Sequence, residues 1–388
     1  MEKSGKHQET VGVRVATIFS YHLYRQRRRG SMHWICDSLR KNGWHVRFIT
    51  CDFSLITRIK GDRRTEFGQI EGLNQLKRVD DSLSVGVVYT PWHPVGRAGN
   101  WLGRMANAVS SIYPWPQGLT VKQFASGADL VIVESCGGLF MLDDIRAVTP
   151  APVIYRVSDN LQVVRPVPSL LAAEQAAVAS VDAVSMASEH LARLLNVGSN
   201  LRFDPMGLDK TQFDLATQSP YQNDGRVKVV ISGSSGLDCQ ALQLAAESHP
   251  DWDFIQFGAA EGLPRLPNII DMGERPFKDL VPWVKFANIG FAPYVNKPGF
   301  EYQAEHSNRL LQYIYCGLPS VVPEALTSPS KPHFIGYSAG DKTSITNALD
   351  AAHAFDCHLV PSHAVLDWDQ LASRLASVSK RTSTPLAS

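Results

Sequence analysis

In the segment Tyr155-Arg156-Val157-Ser158-Asp159-Asn160, a carboxylate follows directly on an apolar run. That order puts Asp159 just past the carboxyl end of a buried strand, where it can take a proton from an attacking hydroxyl. Ser-Asp-Asn is also turn and cap chemistry, so spacing alone leaves both roles open. Three further segments suit a phosphate-bearing ligand. Ile231-Ser232-Gly233-Ser234-Ser235-Gly236 joins an apolar run to a helical one, and its small residues let backbone N–H groups approach a phosphate at a helix N-terminus. It is not a G-x-G-x-x-G fingerprint and no P-loop lysine follows, so a plain βα turn fits equally well. In Gly273-Glu274-Arg275-Pro276, Glu274 can accept hydrogen bonds from ribose hydroxyls and Arg275 can offer backbone groups to a base. An acidic first helical turn is the alternative there. The third segment runs from Pro293-Tyr294 through Glu305 and Ser307 to Tyr313, and closes on Cys316-Gly317-Leu318-Pro319. On one continuous helix Glu305, Arg309 and Gln312 share a face, and Arg309 can neutralise a diphosphate leaving group. The alternative is a surface Glu–Arg pair worth about 0.3 kcal/mol.

A last group is basic and aromatic. It comprises Arg25-Gln26-Arg27-Arg28-Arg29, Arg58 to Arg64, and Trp101-Leu102-Gly103-Arg104-Met105 with Tyr113, Trp115 and Leu119 beyond. Cations beside exposed Trp, Leu and Met suit attachment to an anionic lipid surface, although each basic run taken singly reads as a solvated face.

These residues need elements that bring them to one end of a sheet. Arg14 to Phe19 reads as a buried strand, followed by polar Ser20-Tyr21-His22. A helix over Met32 to Lys41 stops at Asn42-Gly43, and His45 to Thr50 is a second strand. Strands over Asp129–Glu134, Pro152–Arg156 and Asp182–Met186 alternate with helices over Leu142–Val148 and Ser169–Ser180. After a turn-rich stretch from Asp204 to Gly225 the pattern restarts. Strands are expected at Val227–Ile231, Trp252–Phe257, Ile289–Ala292 and Ser320–Val322, with helices at Cys239–Glu247, Phe277–Phe286 and Ser307–Tyr315. The fold class is therefore α/β: two Rossmann-like domains facing a cleft, with parallel sheets covered by helices and ligands at the carboxyl ends of the strands. The expected division is 1–205 for acceptor and membrane binding and 206–360 for the nucleotide sugar, with a helix over 364–378 returning to the first domain.

Composition agrees. The chain has 388 residues, enough for two cores, and 44% hydrophobic with 19% charged residues is a globular balance. No apolar run reaches the ~18 residues a spanning helix needs, and the polar N-terminus has no signal-peptide core, so any membrane contact is expected to be peripheral. The six cysteines show no C-x-x-C spacing and read as reduced, buried thiols rather than a disulfide or zinc framework. The first 80 residues hold 16 Lys/Arg against 8 Asp/Glu, and the remainder 22 against 29. A basic first part calls for an anionic partner. Near-neutral overall charge and the lack of a nucleic-acid motif argue against nucleic acid.

The chain resembles the GumK glucuronosyltransferases of xanthan-type exopolysaccharide biosynthesis over roughly Val13 to Asn347. The resemblance lies in Ser20-Tyr21-His22 through Arg28-Arg29 to His33, Arg58 to Arg64, Val131 to Ser135, Tyr155-Arg156 with Ser158-Asp159, Gly233-Ser234, Gly273-Glu274, Ala292-Pro293-Tyr294, and Leu310 to Tyr313 with Gly317-Leu318-Pro319. It implies a GT-B fold and an inverting, metal-independent transferase without a cofactor. The enzyme would sit peripherally on the cytoplasmic face of the inner membrane. It would move glucuronate from UDP-glucuronate to a polyprenyl-diphosphate-linked oligosaccharide. Asp159 is then the general base, and Ser234, Ser235, Glu274, Arg275, Tyr294, Arg309 and Gln312 bind the donor. His22, Arg28, Arg29, Trp101 and Leu102 belong to the acceptor and membrane side. Arg309 stands where the family has lysine, and Arg275 and Ser235 where it has methionine. Two other readings of such a fold are a nucleotide-sugar epimerase and a non-catalytic assembly protein of a polysaccharide complex.

Overall fold

The computed structural model describes residues 12–26, 29–59, 72–94, 101–295, 298–299 and 301–380. Two units emerge. One comprises residues 1–186, 195–202 and 372–388, the other 187–194 and 203–371.

The first unit is built on an eight-stranded sheet: β1 (Val15–Ser20), β2 (His45–Ser54), β3 (Lys77–Asp80), β4 (Leu83–Thr90), β5 (Leu130–Glu134), β6 (Val153–Val157), β7 (Ala183–Met186) and β8 (Leu201–Phe203). Its order is β3-β4-β2-β1-β5-β6-β7-β8. Only the β3–β4 pair is antiparallel among the registered pairs. The central strands β5 and β6 are buried at every position. A parallel strand covered on both faces requires that, and it explains why they read as unbroken apolar runs.

The second unit carries a six-stranded sheet of β9 (Lys228–Ser232), β10 (Asp253–Phe257), β11 (Ile269–Asp271), β12 (Ile289–Phe291), β13 (Ser320–Pro323) and β14 (Phe334–Tyr337), in the order β11-β10-β9-β12-β13-β14. All its registered pairs are parallel. Successive residues of β9 enter different cores. Val230 packs with Ile255, Val284, Leu310 and Tyr313, while Val229 and Ile231 pack with Ala241, Leu242 and Leu349. Side chains alternate across a strand, so both faces are covered.

Several expectations need correction. Glu305 does not share a helix with Arg309 and Gln312. It ends a short helix, Glu301–Glu305, and a new one, Asn308–Tyr315, starts after the Ser307 cap. Breaking the helix at Ser307 rotates Glu305 out of the shared face. Its carboxylate instead accepts from Ser188 Oγ (2.5 Å) and pairs with Lys331 (3.1 Å), tying the segment 187–194 to the second unit. Residues 187–194 already group with the second unit, the chain passes to it again between Arg202 and Phe203, and it returns at Ala372, within the helix Trp368–Ala376. The thiols are free, but only Cys36, Cys51 and Cys136 are buried. Cys357 is exposed.

Candidate active site

In the second unit the loops after β9, β10, β11 and β12 lie at one end of the sheet, as parallel strands dictate. Gly233 (φ 112°) and Gly236 (φ 63°) both need the left-handed region that glycine supplies, and they fold Ser234-Ser235 into a turn. Gly258, after β10, lets this turn close: a Cβ there would come 2.9 Å from the Ser234 amide. Gly258 N–H donates to the Gly273 carbonyl (2.8 Å), which brings the Gly273-Glu274-Arg275 loop alongside. Glu274 and Arg275 are both exposed, and Arg275 Nε donates to the Met272 carbonyl (2.9 Å). The helix N-terminus itself, over Cys239–Ser248, is already capped by the Asp238 carboxylate.

Arg309 is the centre of this arrangement. Its side chain is buried, with Nη2 donating to the Gly233 carbonyl (2.6 Å) and Nε to that of Ser232 (3.3 Å). Its guanidinium lies 4.6 Å from the centre of the Tyr294 ring. Nη1 is buried and has no hydrogen-bond partner, and the same holds for Ser232 Oγ and Gln312 Oε1. A buried charged donor left unpaired costs about 1–3 kcal/mol or more. Tyr294 donates to Ser307 Oγ (2.7 Å), and Ser307 in turn accepts from the Leu310 amide (3.3 Å). Below them, the Tyr313 hydroxyl sits between the Val230 and Phe291 carbonyls (2.9 and 3.1 Å) and accepts from the Ser232 amide (3.0 Å). The ring reaches that position because residue 290 is glycine, where a Cβ would collide with it. Tyr313 thus fixes the helix that aims Arg309.

In the first unit, Asp159 follows β6 and is partly buried. The helix Leu161–Val164 is capped by Asn160, whose side chain accepts from the Gln162 amide (3.1 Å). Asn160, not Asp159, therefore performs the capping that the Ser-Asp-Asn pattern also allowed. The preceding residue is held from below. Ser158 Oγ donates to Glu134 (3.0 Å), and its amide donates to Ser135 Oγ (3.1 Å). Glu134, buried at the end of β5, also accepts from Ser20 Oγ (2.5 Å) and the Tyr21 amide (3.3 Å). From sequence, Glu134 reads only as the last residue of a strand. Its partners lie more than 20 residues away on either side, so no local spacing marks it.

Beneath this layer Tyr155 donates to the buried Glu174 (2.5 Å) and contacts Ser135 Oγ (3.1 Å). Burial pushes the Glu174 carboxyl up to about 7, against the lowering effect of the Tyr155 hydrogen bond. A carboxyl raised in the folded state contributes stability that is present below its usual 4.5 and lost as pH rises through about 7. Glu174→Gln should remove that loss, on the order of 3 kcal/mol at most. The check is the pH dependence of urea unfolding from pH 5 to 8, which should be flatter in the variant than in the wild type.

Among the residues expected on the acceptor side, His22 bonds Gln26 through Nδ1 (3.0 Å) and its ring neighbours His33. Arg29 pairs with Asp37 (2.6 Å) and lies over the Trp34 ring. Such a half-exposed pair is worth little. Arg28 lies outside the described residues. Trp101 and Leu102 open the helix Trp101–Ser110, and their side chains fall outside the described set. Beyond them, Met105, Val109, Ile112, Trp115 and Leu119 form a run of exposed apolar residues in the same unit. No described helix is long and apolar enough to cross a membrane.

The family profile for the N-terminal domain of glucuronosyltransferase GumK matches residues 18–187, ending one residue after the first unit's long segment. A UDP-glucuronate:glycolipid 2-beta-glucuronosyltransferase of Xanthomonas campestris pv. campestris is 27% identical over 373 residues, covering 92% of this chain and 88% of its own length. The chain is a glycosyltransferase whose residues 18–187 match the N-terminal domain of GumK. Solved structures agree on the fold. Anabaena Alr3699/HepE, in complex with UDP and glucose, superposes with a TM-score of 0.54 at 14% identity, covering 94% of this chain and 98% of its own. The lipopolysaccharide outer core galactosyltransferase WaaB does so with a TM-score of 0.55 at 8% identity, covering 94% and 99%. The chain thus has the GT-B fold. In it, the expected donor residues Ser234, Ser235, Glu274, Arg275, Tyr294, Arg309 and Gln312 all fall in the second unit. Asp159 and the expected acceptor residues fall in the first.

Proposed function

We propose that this enzyme transfers glucuronate from UDP-glucuronate to a polyprenyl-diphosphate-linked oligosaccharide in exopolysaccharide synthesis, with inversion and without a metal ion. The observation that supports the reading is the Arg309 guanidinium held at the end of β9 by the Gly233 carbonyl, with Nη1 left without a hydrogen-bond partner. The likeness to a UDP-glucuronate:glycolipid transferase supports this choice of donor and of acceptor class.

In the proposed step an acceptor hydroxyl gives its proton to the Asp159 carboxylate. Its oxygen forms a bond to the anomeric carbon from the face opposite UDP. The bond from that carbon to the diphosphate oxygen breaks, and its electron pair leaves with UDP. Arg309 and the Ser234 amide stabilise the charge that develops on the diphosphate, a role a metal ion fills in other transferases. Inversion of an α-linked donor gives a β linkage, which agrees with the "2-beta" in the relative's name. Glu274 accepts from the ribose hydroxyls, and Tyr294 and Gln312 complete the donor site. Ser235 and Arg275 contact the nucleotide through the backbone of their turns.

The enzyme works on the cytoplasmic face of the inner membrane without spanning it. The exposed run from Met105 to Leu119 enters the lipid boundary, and the basic residues around Arg28 and Arg29 meet anionic headgroups and the acceptor diphosphate. The test is a donor panel (UDP-glucuronate, UDP-glucose, UDP-galactose) with lipid-linked acceptor extract in phosphatidylglycerol vesicles, read by product mass. A product heavier by one glucuronate, formed with EDTA present, is the expected result. Transfer of a neutral hexose alone would reject the donor assignment, and EDTA inhibition would reject metal independence.

A further inference from the structure

The Asp159 segment is held at both ends, and the second hold is an ion pair remote in sequence. β2 follows β4 in register as far as Thr50, then shifts before Phe53. Asp52 lies in that irregularity with φ 57°, a left-handed conformation that a residue with a side chain adopts at a cost. The distortion turns its carboxylate into the interior, where it is fully buried. There it pairs with Arg165 Nη1 (2.6 Å) and accepts from the Gly137 amide (2.9 Å). Glycine is required at 137, because a Cβ would collide with Asp52 Oδ1. The Asp52 amide is also occupied, donating to the Tyr113 hydroxyl (3.0 Å).

Arg165 directly follows the four-residue helix Leu161–Val164 and stands six positions after Asp159. A single helical turn has little stability of its own, so the direction of this segment is set by what its ends bind. One end is Ser158 on Glu134 and Ser135. The other is Arg165 on Asp52. The two holds are themselves linked, since the Arg165 guanidinium lies 5.3 Å from the Tyr21 ring centre and the Tyr21 amide donates to Glu134. Burial alone would raise the Asp52 carboxyl, but Arg165 and the Gly137 amide hold it below the usual range, so the pair is ionised. A buried ion pair is a poor device for stability, because apolar residues of the same volume serve as well or better. What it adds is a fixed direction.

We propose that the Asp52–Arg165 ion pair is a positioning element that holds the Ser158–Arg165 segment so that Asp159 presents its carboxylate to the acceptor hydroxyl. The proposal rests on Asp159 being the base. Displacing a reacting group by about 1 Å costs on the order of 10²-fold in rate, with ground-state donor binding untouched.

The test uses the full-length enzyme and compares D52N/R165M, R165M and R165K with D159N. The double variant removes both charges together, so no buried carboxylate is left unpaired, and the carboxamide introduced by D52N keeps an oxygen for the Gly137 amide. The expected result for D52N/R165M is a kcat lower by about 10²-fold with a donor KM and UDP affinity within about two-fold of wild type. R165K should recover at least about ten-fold of the kcat lost in R165M. Wild-type kcat in D52N/R165M overturns the proposal. So does a loss of UDP binding and thermal stability in step with kcat, which would mark the pair as purely structural. If D159N turns over at the wild-type rate, the base assignment itself fails. If D159N is inactive while the clamp variants are normal, only the positioning role fails.

Discussion

Asp159→Asn lowers kcat by about 10³-fold or more, while UDP binds within about two-fold of the wild-type affinity. Asparagine keeps the size and most of the hydrogen bonding of aspartate but cannot take a proton. The fold around it is held by other groups: Asn160 caps the following helix, and Ser158 is anchored on Glu134 and Ser135. Donor binding survives because the expected UDP contacts belong to the second unit. The measurement is steady-state transfer to lipid-linked acceptor beside calorimetric titration with UDP. Transfer at more than about a tenth of the wild-type rate would remove Asp159 from the mechanism.

Arg309→Met weakens UDP binding by about 10²-fold, and Arg309→Lys restores most of it. A charge-assisted pair with a diphosphate contributes about 1.5–3 kcal/mol, and each 1.4 kcal/mol is ten-fold in affinity. Methionine fills much of the arginine's volume, so the helix Asn308–Tyr315 stays anchored through Tyr313, whose hydroxyl binds Val230, Phe291 and Ser232. A lysine supplies the charge but not the fork that spans the carbonyls of Ser232 and Gly233, so recovery is partial. An unchanged UDP affinity in Arg309→Met would place the diphosphate elsewhere.

The alternating strands and helices of both units are legible because fully buried parallel strands leave continuous apolar runs, as in Leu130–Glu134 and Lys228–Ser232. β4 has the same signature over Leu83–Thr90, although it is not among the strands expected above, and the β3 edge strand beside it is too short and polar to announce itself. Arg309 is legible as a candidate from its helix. Glu305 is misplaced from sequence because the helical spacing runs straight through Ser307, and only the Tyr294 and Leu310 hydrogen bonds to that serine reveal the break. Asp52 and Arg165 are beyond reach. They stand 113 residues apart, and the distortion that turns Asp52 inward is a backbone event no side-chain pattern records.

The path of the chain between units bears on how this enzyme can be re-engineered. Residues 203–371 leave the first unit after Arg202 and rejoin it at Ala372, so most of the second unit is an insert within the first rather than a module fused to its end. Recombination with another transferase at a single crossover near residue 205 would strip the first unit of its closing stretch and hand it a foreign one. A chimera meant to change the sugar should graft the whole insert through two junctions, at 202/203 and 371/372. It should also carry the matching 187–194 segment, whose Ser188 is bonded to Glu305 of the insert.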